Sequence, residues 1–89
     1  MIYLYVKQKI EDFDRWYQVF KSHKDSQLKA GLKNLKLLKV MDEPNTIICL
    51  FEVGNIESAR AFTNAPQISD IRNEAGVVGM PEVLFLEEF

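Results

Sequence analysis

Apolar and polar positions alternate at the start of the chain. Ile2, Leu4 and Val6 interleave with Tyr3, Tyr5 and Lys7, and this period of two predicts a strand over residues 2–9. Both of its faces begin apolar, as suits a central strand. From Asp12 the period lengthens: Phe13, Trp16, Tyr17, Phe20 and Leu28 recur at helical spacing. Asp12 is a suitable N-cap and Gly31 a suitable stop, so a helix is expected from about residue 12 to residue 30. Leu35, Leu37, Leu38, Val40 and Met41 read as a strand, Asp42-Glu43-Pro44-Asn45 as a turn, and Thr46–Val53 as the most strand-like run in the chain. The short connection makes these two strands an antiparallel hairpin. Asn55 caps a second helix through Ile56, Ala59 and Phe62; Pro66 interrupts it, and further helical turns end at Gly76. Val77–Pro81 reads as a turn and Glu82–Phe89 as the last strand.

The order β-α-β-β-α-β, with right-handed crossovers, predicts a ferredoxin-like α+β fold: one domain over residues 1–89, a four-stranded antiparallel sheet, and both helices on one face. Nothing covers the other face, which ought then to be polar. It is not. Ile47, Cys49, Phe51 and Val53 share one parity and Ile48 and Leu50 the other; Val83 and Phe85 stand against Leu84 and Leu86, and Ile2, Leu4 and Val6 against Tyr3 and Tyr5. Three of the four strands are apolar on both faces. An exposed face of that kind marks an interface, and a homodimer joined sheet to sheet is expected.

Composition narrows the picture without changing it. Eighty-nine residues, 47 % hydrophobic and with ten aromatics, suffice for one core. Cys49 is the lone cysteine, so no disulfide framework is available. No apolar run approaches the ~20 residues of a membrane span, and Met1 leads straight into the first strand without a basic leader. These features predict a cytoplasmic protein. The net charge of −2 conceals an asymmetry: residues 1–39 hold nine Lys or Arg against four acids, and residues 40–89 hold two against nine. The lysines from Lys21 to Lys39 lack the arginines and interleaved aromatics of a nucleic-acid surface, so they read as a solvated face, with neither nucleic acid nor membrane as partner.

The candidate chemistry centres on the first helix. At about 100° per residue, Phe13, Trp16, Phe20, His23 and Gln27 fall within an arc of roughly 80° on its buried side. His23, the only histidine, then points toward the sheet beside Trp16. Such an imidazole suits a general base, a haem ligand or a donor to a substrate; the plainer alternative is a core-edge histidine bonded to Gln27. Glu52 ends the most apolar strand, where burial would favour its protonated form and suit acid–base work with His23. Pairing with Arg60 or Lys39 is the plainer alternative. Trp16, Tyr3, Tyr5, Tyr17 and Phe51 line an aromatic pocket or simply pack. Cys49 in mid-strand reads as packing. One histidine and one cysteine make no usual zinc site, no acidic loop suggests calcium, and no glycine-rich loop cradles a phosphate, so no metal or cofactor is expected.

Four segments carry a resemblance. They are Glu11-Asp12-Phe13-Asp14-Arg15-Trp16 with Phe20 and His23, Leu50-Phe51-Glu52, Ser58-Ala59-Arg60-Ala61-Phe62, and Ala75-Gly76-Val77-Val78-Gly79-Met80-Pro81-Glu82-Val83. Across essentially its whole length the chain resembles the dimeric α+β barrel superfamily, which includes antibiotic-biosynthesis-type monooxygenases and many small uncharacterised proteins. The resemblance implies a ferredoxin-like dimeric α+β barrel. On function the leading expectation is a pocket between the first helix and the sheet that binds or transforms an apolar or aromatic small molecule, as a cofactor-free monooxygenase or isomerase would. Tyr5, Trp16, Phe20 and Gln27 would shape that pocket, and His23 and Glu52 would supply its catalytic polarity. The rival readings are a non-catalytic dimeric interaction module and haem binding through His23.

Overall fold

A computed structural model describes residues 1–89. Eight elements follow in order: β1 (Ile2–Ile10), α1 (Phe13–Ser22), α2 (Lys24–Lys29), β2 (Leu32–Val40), β3 (Glu43–Val53), α3 (Ile56–Asn64), α4 (Gln67–Ala75) and β4 (Val77–Glu87). The strands form one antiparallel sheet in the order β2-β3-β1-β4. This is the expected ferredoxin-like arrangement, with each expected helix divided in two.

The caps are local and follow from the sequence. The Asp12 carboxylate accepts from the Arg15 N–H at 2.9 Å, and the Asn55 side-chain oxygen accepts from the Ser58 N–H at 2.9 Å. Gly76 closes α4 at φ 76°, a left-handed conformation that glycine adopts without strain. The expected division at Pro66 separates α3 from α4.

The division at His23 was not expected. The Ser22 hydroxyl donates to the Val19 carbonyl at 2.7 Å, which is the carbonyl that the His23 N–H would take in a continuous helix. The His23 N–H turns to Phe20 instead, at 3.2 Å, and its backbone sits at φ −102°, ψ 11°. One helix from 12 to 30 therefore becomes α1 and α2, with His23 at the joint.

Two strand boundaries also differ. β2 starts at Leu32, earlier than its pattern suggests, because a bulge between Asn34 and Lys36 breaks the alternation. The Asn34 amide holds that bulge by donating to the Lys36 and Leu50 carbonyls, both at 3.2 Å. Val77–Pro81 is not a turn: Val77 and Val78 already pair with Ile10 and Lys9, and the pairing resumes at Glu82 with Lys7. Gly79–Pro81 bulge out between them on an edge strand, where the missing proline N–H is harmless. The hairpin turn is likewise shorter than expected, since Glu43–Asn45 belong to β3 and extend past the end of β1.

Register assigns each strand parity to a face. Cross-strand rows on the helix side run Leu37–Cys49–Val6–Val83 and Asn34–Phe51–Leu4–Phe85. Rows on the outer side run Lys36–Leu50–Tyr5–Leu84 and Leu38–Ile48–Lys7–Glu82. The core lies between the helix side and the helices, where Leu4, Ile10, Ile47 and Cys49 from the sheet meet Trp16, Ala59 and Ala75. Arg15 ties α1 to α4: its guanidinium donates to the Glu74 and Asn73 carbonyls at 2.9 and 3.1 Å, the latter shared with the Gly76 N–H at the helix end. No helix is long and apolar enough to cross a membrane.

Candidate functional site

Between the two helix pairs and the sheet lies a half-enclosed cavity of about 110 Å³. Helical spacing builds most of its wall. Trp16, Val19, Phe20 and His23 project from α1 at intervals of three and four, and Gln27 continues the stripe on α2. Ile68, Ile71, Arg72 and Ala75 do the same from α4, with Phe62 and Thr63 from α3. The floor is the helix side of the sheet, chiefly Leu4, Val6, Gln8, Cys49 and Phe51.

Trp16 is buried and stacks on Phe20 at 5.0 Å, and Phe20 meets Phe51 at 6.3 Å, within the range where aromatic pairs attract. Tyr17 does not join them. It stacks on Phe13 at 5.4 Å, and Phe13 is exposed at the helix start, contrary to its expected place on the buried arc.

Five polar side chains line the cavity: Gln8, His23, Gln27, Thr63 and Arg72. Two have protein partners. The Gln8 amide reaches the Cys49 sulfur at 4.0 Å, a long and weak contact, and the Thr63 hydroxyl donates to the Arg60 carbonyl at 3.1 Å. The side chains of His23, Gln27 and Arg72 take part in no hydrogen bond or ion pair within the protein. Gln27 is only 8 % exposed, yet no side-chain nitrogen or oxygen is sealed away without a partner, so its amide keeps access to the cavity. Burial holds the Arg72 guanidinium below its ordinary pKa, though an arginine remains charged at neutral pH. No carboxylate lines the cavity.

Trp16, Phe20, His23 and Gln27 thus converge as their spacing suggests. Tyr5 and Glu52 do not. Both belong to the outer parity, where Tyr5 pairs with Leu50 and Leu84 and Glu52 with Tyr3 and Lys33, so the sheet separates them from His23. The His23–Glu52 acid–base pair is therefore corrected: the apolar run around Glu52 belongs to a strand buried on one side only. Tyr3 lies on that outer face as well, its hydroxyl donating to Glu88 at 3.0 Å, and this bond is the main cause of its raised pKa. Gln8, Thr63 and Arg72 escaped the sequence reading. For Arg72 a signal existed: it is the one charged residue in the inward stripe Ile68, Ile71, Arg72, Ala75.

Cys49 forms part of the cavity floor. Burial pushes its thiol from 9.0 up to about 12, opposed only slightly by the Gln8 amide. Ellman's reagent at pH 8 is expected to leave it unlabelled in the native protein and to label it once denaturant unfolds the chain; prompt native labelling would show an open inner face. The folded thiol keeps its proton to higher pH than the unfolded one. Its contribution to stability is therefore full below pH 9 and is lost as pH rises toward 12. Cys49→Ala should flatten that part of the stability profile.

No family model and no curated protein sequence matches the chain. Solved structures do. A candidate antibiotic biosynthesis monooxygenase from Bordetella bronchiseptica superposes with a TM-score of 0.79 at 10 % identity, over 99 % of this chain and 96 % of that one. A conserved protein from Methanosarcina mazei Go1 gives 0.75 at 14 % identity, over 99 % and 92 %. The chain has the antibiotic biosynthesis monooxygenase-like fold. An uncharacterised NIPSNAP domain protein from Burkholderia xenovorans shares this fold at a TM-score of 0.67 and 8 % identity, over 100 % and 95 %. Identities this low carry architecture and not chemistry, so the site must be argued from the residues of this chain. No group of three or more His, Cys, Asp or Glu side chains converges in the structure.

Proposed function

We propose that the chain binds a small apolar or aromatic molecule in the cavity between its helices and its sheet. The observation that carries this reading is a cavity walled by stacked aromatics in which His23, Gln27 and Arg72 have no protein partners. Side chains without protein partners at a cavity can exchange their water for a ligand. An enclosed cavity of roughly 150 Å³ accommodates benzene; this one, at about 110 Å³, is half open, so a ring can project toward solvent. Haem binding through His23 is the rival reading, and a Soret band on haem titration would support it in place of this one.

Chemistry of the monooxygenase or isomerase kind is the finer reading, favoured by the fold shared with a protein described as an antibiotic biosynthesis monooxygenase. Its proton transfer would run through His23, half-buried at the cavity wall. The ligand site also belongs, on this proposal, to a homodimer closed through the outer sheet face. There Leu38, Leu84 and Leu86 remain 40–45 % exposed in a single chain.

Trp16 is the only tryptophan, so its fluorescence reports the site directly. Titration with neutral single-ring molecules such as toluene or benzyl alcohol is expected to give a saturable change. His23→Ala should alter the apparent Kd several-fold while stability changes by less than about 1 kcal/mol, because no hydrogen bond is lost. A linear, non-saturating response to every ring tested would contradict the reading.

A further inference from the structure

The chain has three arginines, and two are spoken for. Arg15 caps α4, and Arg60 lies over the Phe85 ring at 5.2 Å. Arg72 has neither an acidic nor an aromatic partner, although it is partly buried in an otherwise apolar helix stripe. A cation drawn partly out of water without a counter-ion is costly, and an exposed alternative was open to the chain one position away on the same helix. Every other polar group at the cavity, Gln8, His23, Gln27 and Thr63, can donate a hydrogen bond, and none carries negative charge. The cavity therefore presents one fixed positive charge, several donors and an apolar wall.

We propose that the cavity selects a small aryl or branched-chain carboxylic acid, its apolar body against Trp16 and Phe51 and its carboxylate forked by Arg72. The planar guanidinium matches a carboxylate through two parallel hydrogen bonds, which a lysine cannot reproduce. The unpartnered Gln27 amide, on α2, supplies a further donor lining the same cavity. This inference rests on the small-molecule reading above and adds to it the charge of the ligand.

Calorimetric titration of the full chain with benzoate and with the neutral benzyl alcohol tests it, alongside Arg72→Gln and Arg72→Lys. Benzoate is expected to bind roughly ten- to a hundred-fold more tightly than benzyl alcohol, as a charge-assisted hydrogen bond would give. Arg72→Gln should abolish that preference, Arg72→Lys should keep only part of it, and both should melt close to the parent because Arg72 has no partner to lose. Equal affinity for the two probes would overturn the inference while leaving the small-molecule reading intact. A preference for benzoate that survives Arg72→Gln would overturn the role given to Arg72. Binding of neither probe at millimolar concentration would overturn both.

Discussion

Trp16→Ala is expected to destabilise the chain by about 3–5 kcal/mol, the usual cost of removing a buried large aromatic. Domains of this size have only about 4–13 kcal/mol of stability in total, so the variant should be at best marginally folded. The indole is 2 % exposed, stacked on Phe20 at 5.0 Å and tilted against Phe13 at 6.0 Å. It belongs to the core cluster shared with Leu4, Cys49 and Phe51 of the sheet, and the adjoining cavity gives its neighbours no tight packing with which to close the gap. Urea unfolding at fixed protein concentration measures the loss as a lowered midpoint with an unchanged slope. Indole added to the variant should refill the space and raise the midpoint with its concentration, as a ligand of the folded state does. A loss below about 1 kcal/mol would mean that Trp16 is not a core residue.

On the proposed sheet-to-sheet pairing, Leu50→Lys is expected to turn a dimer into a monomer. Leu50 sits on an inner strand in the middle of the outer face, flanked across the sheet by Tyr5 and Lys36. In a two-fold interface one substitution appears twice. Two buried, uncompensated ammonium groups cost roughly 6–10 kcal/mol, which raises the dimer dissociation constant at least ten-thousand-fold. Within a single chain the same lysine reaches solvent along its stem, so the fold should survive and circular dichroism should be unchanged. Light scattering at micromolar concentration is expected to give twice the 10.3 kDa chain mass for the parent and 10.3 kDa for the variant. A parent that runs at 10.3 kDa would refute the pairing.

Much of the architecture was legible because its signals are local. Asp12 and Asn55 announce caps, Pro66 and Gly76 announce breaks, and the period of two in β1 and β3 announces strands. What escaped depended on single hydrogen bonds or on pairing. The Ser22 hydroxyl that takes the Val19 carbonyl divides the first helix at His23, and no hydrophobic period records that competition. The bulges at Asn34–Lys36 and Gly79–Pro81 exist only relative to neighbouring strands.

The candidate site divides the same way. Trp16, Phe20, His23 and Gln27 lie on one helical stripe, and the 3.6-residue period places them together even across the break at His23. Tyr5 and Glu52 depended on knowing which parity of a doubly apolar strand meets the helices. With both faces apolar, composition gave no answer; the register did, putting Leu4, Val6 and Cys49 inside and Tyr5, Leu50 and Glu52 outside. Arg72 was overlooked because an arginine beside a proline-interrupted helix reads as surface. Its importance appears only when every other group at the cavity is found to lack negative charge.

On the proposed function, the space beneath α1 and α4 is a ligand site and the opposite sheet face is not. Methyl-resolved NMR during titration with benzoate tests it most directly. Saturable shifts are expected in the methyls of Leu4, Val6, Val19 and Ile71, with those of Leu38, Leu50 and Leu84 unmoved. Shifts confined to Leu38, Leu50 and Leu84, or no saturable shift in either set, would contradict it.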